Sequence, residues 1–459
     1  MADLTVGNER KLILKFALPM LFGNVFQQLY SIVNSIIVGN YLGPKALAAV
    51  GASFPIIFLL ISLIVGIGIG SSVIISQYYG AKDIDKVRKT IDTMYIFLFG
   101  AAIIISFLGI TFSEYILRLI HLPEEIIPMA KSYLNIYLLG LIFFFGFNGT
   151  SSALRGIGDS KTPLYFLIIA NLTNIVFDLL FIRVFKFGVE GAALSTIISQ
   201  GGAFLTMIIY VNKYDEIVKL RIRKLQFDKD IFRKSLKIGL PTGLQQTFVS
   251  LGMLALNRIV NPFGVETIAA FTVAGRIDSF ASLPAMNFAG ALSSFVGQNL
   301  GANKPDRVKK GFIATLIMTS ILSIVVTIIV VLFGKSIMHA FTPDINVINI
   351  GYNYLVIVCS FYVLFTAMFV TGGVMRGAGD TLIPMFITLL ALWFVRIPVA
   401  YFLSRGIGVN GIWWAIPIGW AVGLVLSYTY YRTGRWKKKV VVKYQPKEED
   451  IAIVESETT

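Results

Sequence analysis

Apolar and polar residues along this chain alternate on the scale of whole helices. Stretches of about 20 mostly apolar residues recur between short polar loops, and that length lets a helix cross the hydrocarbon core of a bilayer. Twelve such stretches lie near residues 13–38, 47–76, 91–112, 132–153, 163–184, 190–211, 237–260, 267–297, 311–333, 351–374, 383–404 and 411–431. The pattern predicts an all-α integral membrane protein with twelve transmembrane helices.

Composition and charge placement support this prediction. Of 459 residues, 56% are hydrophobic and 14% charged, whereas about a quarter are charged in soluble domains. The net charge is +15, and 30 of the 40 Lys and Arg residues lie at the termini and in alternate loops, against eight in the opposite loops. By the positive-inside rule, this predicts a multi-pass protein of the cell membrane with both termini cytoplasmic, and not a nucleic-acid partner.

Two loop sequences recur at an offset of 221 residues. Gln-x-x-Gly-Ala at 77–81 returns at 298–302, and Arg-Gly-x-Gly-Asp at 155–159 returns at 376–380. Because each half contains six helices, the repeat predicts two six-helix lobes of parallel orientation facing each other across a central cleft.

The repeat divides the chain into four parts. We expect an amino-terminal lobe over 1–212, a basic cytoplasmic linker over 213–236, a carboxy-terminal lobe over 237–432 and a charged cytoplasmic tail over 433–459. The linker is interpreted as an orientation signal on anionic headgroups, with a regulatory role as the alternative. The glycines at 66, 68 and 70 lie within a span and indicate close helix packing.

Paired lobes around a cleft are typical of transporters that work by alternating access. An enzyme is disfavoured, because His121 and His339 lie in separate outer loops, Cys359 is the single cysteine and no Walker A sequence occurs. The sequence thus predicts no cofactor and no metal site, apart from a coupling ion. A membrane protein without transport is the alternative, although it would not need polar faces inside its helices.

The best candidate for ion coupling is Asp178 in the fifth stretch. Asn171, Asn174 and Asp178 recur at spacings of three and four, which places them on one helix face. The first stretch has a second polar face made of Gln27, Ser31 and Asn34, and Thr196 of the sixth stretch could add a hydroxyl. Burial disfavours the ionised form of an aspartate, so Asp178 could take up a proton or bind Na⁺. A purely structural aspartate held by amides is the alternative.

The second lobe carries different charges. Asp278 and Arg276 lie in the eighth stretch and Arg396 in the eleventh. We interpret these charges either as an internal ion pair or as groups that contact substrate or protons. In the second case, the residues expected to face the substrate cleft are Asp278, Arg276, Gln27 and Gln246. The repeated Arg155/Asp159 and Arg376/Asp380 loops are interpreted as interfacial hairpins with local pairing, or as gating elements.

Several segments together resemble the multidrug and toxic compound extrusion (MATE) family. They are Pro19, Val-Gly-Asn-Tyr-Leu-Gly at 38–43, Ala-Leu-Ala-Ala-Val-Gly at 46–51, Gln-Asn-Leu-Gly-Ala at 298–302 and the paired Arg-Gly-x-Gly-Asp loops. The resemblance covers nearly the whole chain. It implies a V-shaped, two-lobe exporter that exchanges organic, often cationic and amphiphilic compounds for H⁺ or Na⁺.

The resemblance also implies a coupling site in the amino lobe. Relatives build it from an Asp on the first helix, an Asn and an Asp on the fifth and a Thr on the sixth, which Asn174, Asp178 and Thr196 match. Asn34 departs from this pattern, since it stands where relatives typically have Asp. The departure leaves Asp178 as the one titratable group, or fixes the site in a state like the protonated one. Proton coupling is the leading hypothesis, with Na⁺ at the same residues as the alternative.

A lipid-linked oligosaccharide or lipid flippase of the same superfamily is the alternative function. Its cleft would need many basic residues to receive a diphosphate, whereas only Arg276 and Arg396 lie within stretches here. The expected partners are small-molecule substrates and the lipid bilayer, and the expected state is monomeric.

Overall fold

The computed structural model describes residues 3–442, which form helices and no strands. The α-helices are α1 Glu9–Gly80, α2 Ile84–Leu119, α3 Ile127–Leu139, α4 Leu141–Gly156, α5 Lys161–Asp178, α6 Gly188–Tyr214, α7 Lys229–Val260, α8 Val265–Gly301, α9 Pro305–His339, α10 Ile345–Ser360, α11 Tyr362–Gly377, α12 Leu382–Leu389, α13 Ile397–Ile407 and α14 Val409–Arg432. The all-α prediction is confirmed. Most of the predicted tail, beyond residue 442, lies outside the described residues.

Each predicted apolar stretch coincides with helix, although helix and stretch do not correspond one to one. The first two stretches share α1, which bends at Gly43, where φ is 81°. The pairs α3/α4 and α10/α11 each form one stretch, bent by 49° and 50°. Within the described residues, seven helices are long and apolar enough to cross a membrane, or nine if each bent pair counts as one span. Twelve is therefore an approximate count.

Two short π-helices interrupt the α-helices that carry Asp178 and Arg396. A π-helix at Leu179–Val184 directly follows Asp178, and a second at Leu390–Arg396 ends on Arg396. Such turns are rare and are frequent at functional sites, because the extra residue per turn redirects side chains. The apolar pattern of the sequence does not reveal them.

The apolar cores follow the two halves, but the ends of the chain cross over. One core contains buried residues between Ile37 and Ile238, and the others belong to the second half. Leu4, Ile13 and Phe16, at the start of the chain, belong to a core of the second half. The beginning of α1 thus packs against the second half of the chain. In the same way, Ile238 near the beginning of α7 packs in the core of the first half.

Small residues bring α1 and α7 together. A Cβ atom on Gly66 would lie 2.5 Å from the Gly243 nitrogen, and one on Gly70 would lie 2.7 Å from the Gly239 nitrogen. Only glycine permits these backbones to approach so closely. The sequence interpretation as close helix packing agrees with the structure for Gly66 and Gly70, whereas a Cβ on Gly68 would meet only Ser152 Oγ at 3.9 Å.

Two repeat-related glutamines join the lobes at the end of the bundle that carries the repeated loops. Gln77 Nε2 donates to the Gly377 carbonyl at 3.0 Å, and Gln298 Nε2 donates to the Gly156 carbonyl at 3.0 Å. Both glutamines are fully buried. We call Gln77 and Gln298 the glutamine pair, and this end of the bundle the basic end. A buried hydrogen bond of this kind contributes about 1 kcal/mol.

Both terminal segments complete the glutamine pair. The Leu4 N–H donates to Gln298 Oε1 at 3.1 Å and the Val441 N–H donates to Gln77 Oε1 at 2.8 Å. Lys82 Nζ lies 2.8 Å from Asp3 Oδ2. Burial raises the pKa of Asp3, but hydrogen bonds from Lys82 and Thr5 outweigh it and lower the pKa to about 2. The ion pair is therefore retained at neutral pH, and both ends of the described chain lie at the basic end.

Next to the glutamine pair, two glycines set the distance between the lobes. A Cβ on Gly80 would overlap the Gln298 carbonyl oxygen, and a Cβ on Gly301 would overlap the Gln77 carbonyl oxygen. These carbonyls belong to backbone, which cannot rotate away as a side chain can. The basic end is closed because both positions lack a side chain.

We expect Gly80→Ala to separate the lobes at the basic end. The measurement is the distance between spin labels at Lys86 and Lys309, exposed positions on the two lobes, in a Cys359→Ala background. The distribution should shift outward by a few ångströms. Gly100→Ala is the matched control, because a Cβ there meets nothing within 4 Å. An unchanged distance in Gly80→Ala would contradict the proposed contact.

Candidate ion-coupling and substrate sites

The polar face of α5 is buried. Asn171, Asn174 and Asp178 are 5%, 3% and 0% exposed. Asp178 is the last residue of α5, so its side chain lies where the helix passes into the π turn. The Asp178 carboxylate is therefore shielded from solvent, and the groups around it determine how its charge is stabilised.

Three neutral groups surround the Asp178 carboxylate. Asn34 Nδ2 donates to Oδ2 at 2.8 Å, and the Ser195 hydroxyl donates to Oδ1. Asn174, with its amide oriented to satisfy both of its polar atoms, places its nitrogen 2.8 Å from Oδ2 and 2.8 Å from the Tyr30 hydroxyl. The carboxylate thus links α1, α5 and α6.

No cation compensates this charge. Among the described residues, no Lys, Arg or His nitrogen lies within 4 Å of Asp178, and none of their His, Cys, Asp and Glu side chains form a group of three that could hold a metal. An uncompensated buried charge is costly, so H⁺ or a monovalent cation would be favoured here. A carboxyl that gains a proton keeps part of its acceptor capacity and gains an O–H donor, so at least one of the contacts to Asn34 and Ser195 would rearrange.

The hydroxyl that contacts Asp178 belongs to Ser195 and not, as expected, to Thr196. Thr196 Oγ1 donates to the Ala192 carbonyl at 3.0 Å within its own helix, and its backbone N–H lies 3.2 Å from the Asn174 amide oxygen. Sequence reasoning named neither Ser195 nor Tyr30. Both are polar positions within apolar stretches, which was a usable signal, but helical spacing alone does not tell which of two adjacent hydroxyls faces α5.

A cavity of about 360 Å³ extends from this polar face toward the basic end. At its inner end, Asn171 Nδ2 donates to Gln27 Oε1 at 3.4 Å. Across the lobes, Asn24 Nδ2 donates to Asn287 Oδ1 at 2.6 Å. Gln27 lines this cavity, whereas Gln246 is exposed on α7 and is not among the residues that line it.

The second lobe does not show the expected contact between Asp278 and Arg276. Asp278 accepts a hydrogen bond from the Tyr362 hydroxyl, whereas Arg276 is exposed. Arg396 is 9% exposed, and its Nε has no hydrogen-bond partner in the described part of the chain. Among those residues no ion pair within 4 Å joins these charges, and the Tyr362 hydroxyl is the side-chain donor to Asp278.

The local pairing predicted for the repeated loops is also not observed. Asp159 accepts from the Lys161 and Thr162 backbone N–H groups at 2.9 and 3.1 Å, which caps the start of α5. Asp380 accepts from the Tyr430 hydroxyl at 2.6 Å. With both aspartates engaged elsewhere, neither Arg155 nor Arg376 forms an ion pair among the described residues.

Comparisons with known proteins agree with this architecture. The family model MatE matches residues 19–180 and 241–402, one match in each half. The chain is 36% identical to the probable multidrug resistance protein YpnP of Bacillus subtilis (strain 168), covering 95% of this chain and 97% of the relative. It is 28% identical to the probable multidrug resistance protein NorM of Thermotoga maritima, covering 95% of each.

A solved structure described as the outward-facing conformation of a multidrug resistance MATE family transporter superposes with a TM-score of 0.89. It is 26% identical and covers 95% of this chain and 98% of that chain. The family match, the relatives and the shared fold identify a multi-pass membrane protein. The chain belongs to the multidrug and toxic compound extrusion (MATE) family of transporters.

Proposed function

We propose that the protein is a secondary active multidrug exporter that exchanges organic compounds, often cationic and amphiphilic, for protons across the cell membrane. The observation that carries this proposal is Asp178, a fully buried carboxylate held by neutral donors from three helices. Membership of a transporter family and relatives named for multidrug resistance support it.

Proton binding at Asp178 would act on the contact between α1 and α5. The ionised carboxylate accepts from Asn34 Nδ2 at 2.8 Å. The protonated group has fewer acceptor sites and an O–H that must donate, so the contact between α1 and α5 would weaken. The span of α1 before the bend at Gly43 carries Asn34 and begins at the basic end, where Ile13 and Phe16 pack in a core of the second half, so a movement of this span would be transmitted to the contact between the lobes. Na⁺ at the same oxygens is the alternative coupling ion.

Positive-inside orientation would place the basic end in the cytoplasm. The closed state described above would then be open toward the outside, and the inward-open state would require the glutamine pair to separate. Its hydrogen bonds are few and symmetric, so they can break and re-form with each cycle. This is the rocking motion expected of two parallel lobes.

We expect Asp178→Asn to abolish gradient-driven transport, because the neutral amide cannot exchange a proton. The measurement is uptake of a fluorescent lipophilic cation into proteoliposomes under a pH gradient and, separately, a Na⁺ gradient. Asp85→Asn, at an exposed carboxylate of α2, is the matched control and should transport normally. Transport that persists in Asp178→Asn would contradict coupling at this site.

Ser195→Ala should impair transport more than Thr196→Ala. Ser195 donates directly to Asp178, and a hydrogen bond to a charged group is worth about 1.5–3 kcal/mol, so a loss of about tenfold in initial uptake rate is expected. Thr196 bonds its own helix. Equal effects, or a larger effect at Thr196, would show that the hydroxyl contact is assigned to the wrong residue.

Restoring the common family residue through Asn34→Asp should add a second titratable group 2.8 Å from the first. Two carboxylates at that distance cannot both remain ionised, so they share a proton. The dependence of uptake on pH should become steeper. A profile that coincides with that of the unmodified protein would argue that α1 and α5 do not share one ion site.

A further inference from the structure

Arg155 is a charged side chain whose role the coupling site does not explain. It lies in the last turn of α4 and lines the cavity of about 360 Å³ in the amino lobe. Of its guanidinium donors, only Nη2 forms a hydrogen bond among the described residues, to Ser152 Oγ at 3.2 Å. Asp159, the nearest acidic residue in the sequence, is engaged at the start of α5.

The cavity around Arg155 contains hydrogen-bonding groups but no acid. Asn148, Ser151 and Arg155 recur at spacings of three and four, so α4 presents them on one face. Ser151 is 3% exposed, and its hydroxyl has no partner in the described part of the chain. Gln200 Oε1, across the cavity on α6, also lacks a partner there. None of the described residues that line the cavity is Asp or Glu.

This arrangement has the composition of a binding site for a negatively charged group. Arg155 is half-buried and has no counter-ion among the described residues, and arginine matches carboxylate and phosphate geometry with two parallel hydrogen bonds. The volume suits a small organic molecule, since ligand cavities begin at about 300 Å³. Phe144, Phe147 and Leu167 supply an apolar wall beside these groups.

The repeat supplies an internal comparison. Arg376 occupies the corresponding position of the second lobe, but it does not line this cavity. Its Nη1 lies over Gly372, 3.2 Å from where a Cβ would be. The two arginines therefore share a loop sequence and differ in the space that they face.

We propose that the amino-lobe cavity binds a carboxylate or phosphate group through Arg155, with Ser151 as a second donor. On the proposed exporter function, on which this substrate assignment rests, the transporter would accept amphiphiles that carry an anionic group beside their cationic part. The anionic group could come from a substrate or from a lipid headgroup, and both would use the same guanidinium.

The test compares two dyes that differ in this group alone. Rhodamine 6G is an ethyl ester, and rhodamine 19 is the same dye with a free carboxylate. Their affinities for the purified protein in detergent are measured by fluorescence anisotropy. We expect rhodamine 19 to bind about tenfold more tightly than the ester, the gain typical of one charge-assisted contact.

Variants attribute the preference to one side chain. Arg155→Gln should reduce the ratio of the two affinities to near one, and Arg155→Lys should retain part of it. Arg376→Gln, the matched control, should leave the ratio as in the unmodified protein. Because the readout is a ratio within one preparation, a general loss of folded protein does not imitate the result.

A lipid arm identifies the source of the anion. Short-chain phosphatidylglycerol and phosphatidylcholine are added as competitors of rhodamine 6G. Competition by the anionic lipid that disappears in Arg155→Gln would support the site with a lipid phosphate as its ligand. If rhodamine 19 shows no Arg155-dependent preference and the anionic lipid does not compete, the proposal is wrong. Uptake of rhodamine 6G into proteoliposomes tests the exporter function separately.

Discussion

The proposed transport cycle depends most on how one buried carboxylate is held without a cation. Asp178 is buried, and within residues 3–442 it receives hydrogen bonds only from neutral amides and a hydroxyl, which come from α1, α5 and α6. The charge is stabilised because each of these contacts is a donor, whereas a protonated carboxyl would itself need an acceptor for its O–H. In the proposed transport cycle this site has two arrangements, and the span of α1 before Gly43 would carry the difference between them to the basic end.

The duplicated lobes have kept their symmetry at the basic end and lost it inside the membrane. At the basic end, Gln77 and Gln298 make the same contacts with the opposite lobe, and Gly80 and Gly301 make the same close approach. Within the bilayer, the position that corresponds to Asp178 is Val399. One lobe therefore carries the proposed ion site, while both lobes contribute matching contacts at the basic end.

Much of this architecture was predictable because hydrophobicity and repetition are properties of the sequence. The apolar stretches, the offset between the halves and the polar face that ends in Asp178 follow from spacing alone. The partners of charged groups did not follow, because they depend on rotation between helices. Ser195 rather than Thr196 contacts Asp178, and Tyr362 rather than Arg276 contacts Asp278. The crossing of Leu4 and Val441 to the glutamine pair carries no sequence signal, since backbone groups make those bonds.

The most direct test of the account is proton release upon substrate binding. Purified protein in weakly buffered detergent solution, with a pH indicator, is mixed with a lipophilic cation at a pH where Asp178 is protonated. The account predicts a release of about one proton per chain, matching the one ionisable group in the site, and no release in Asp178→Asn. Release that persists in Asp178→Asn would contradict the assignment of coupling to this carboxylate.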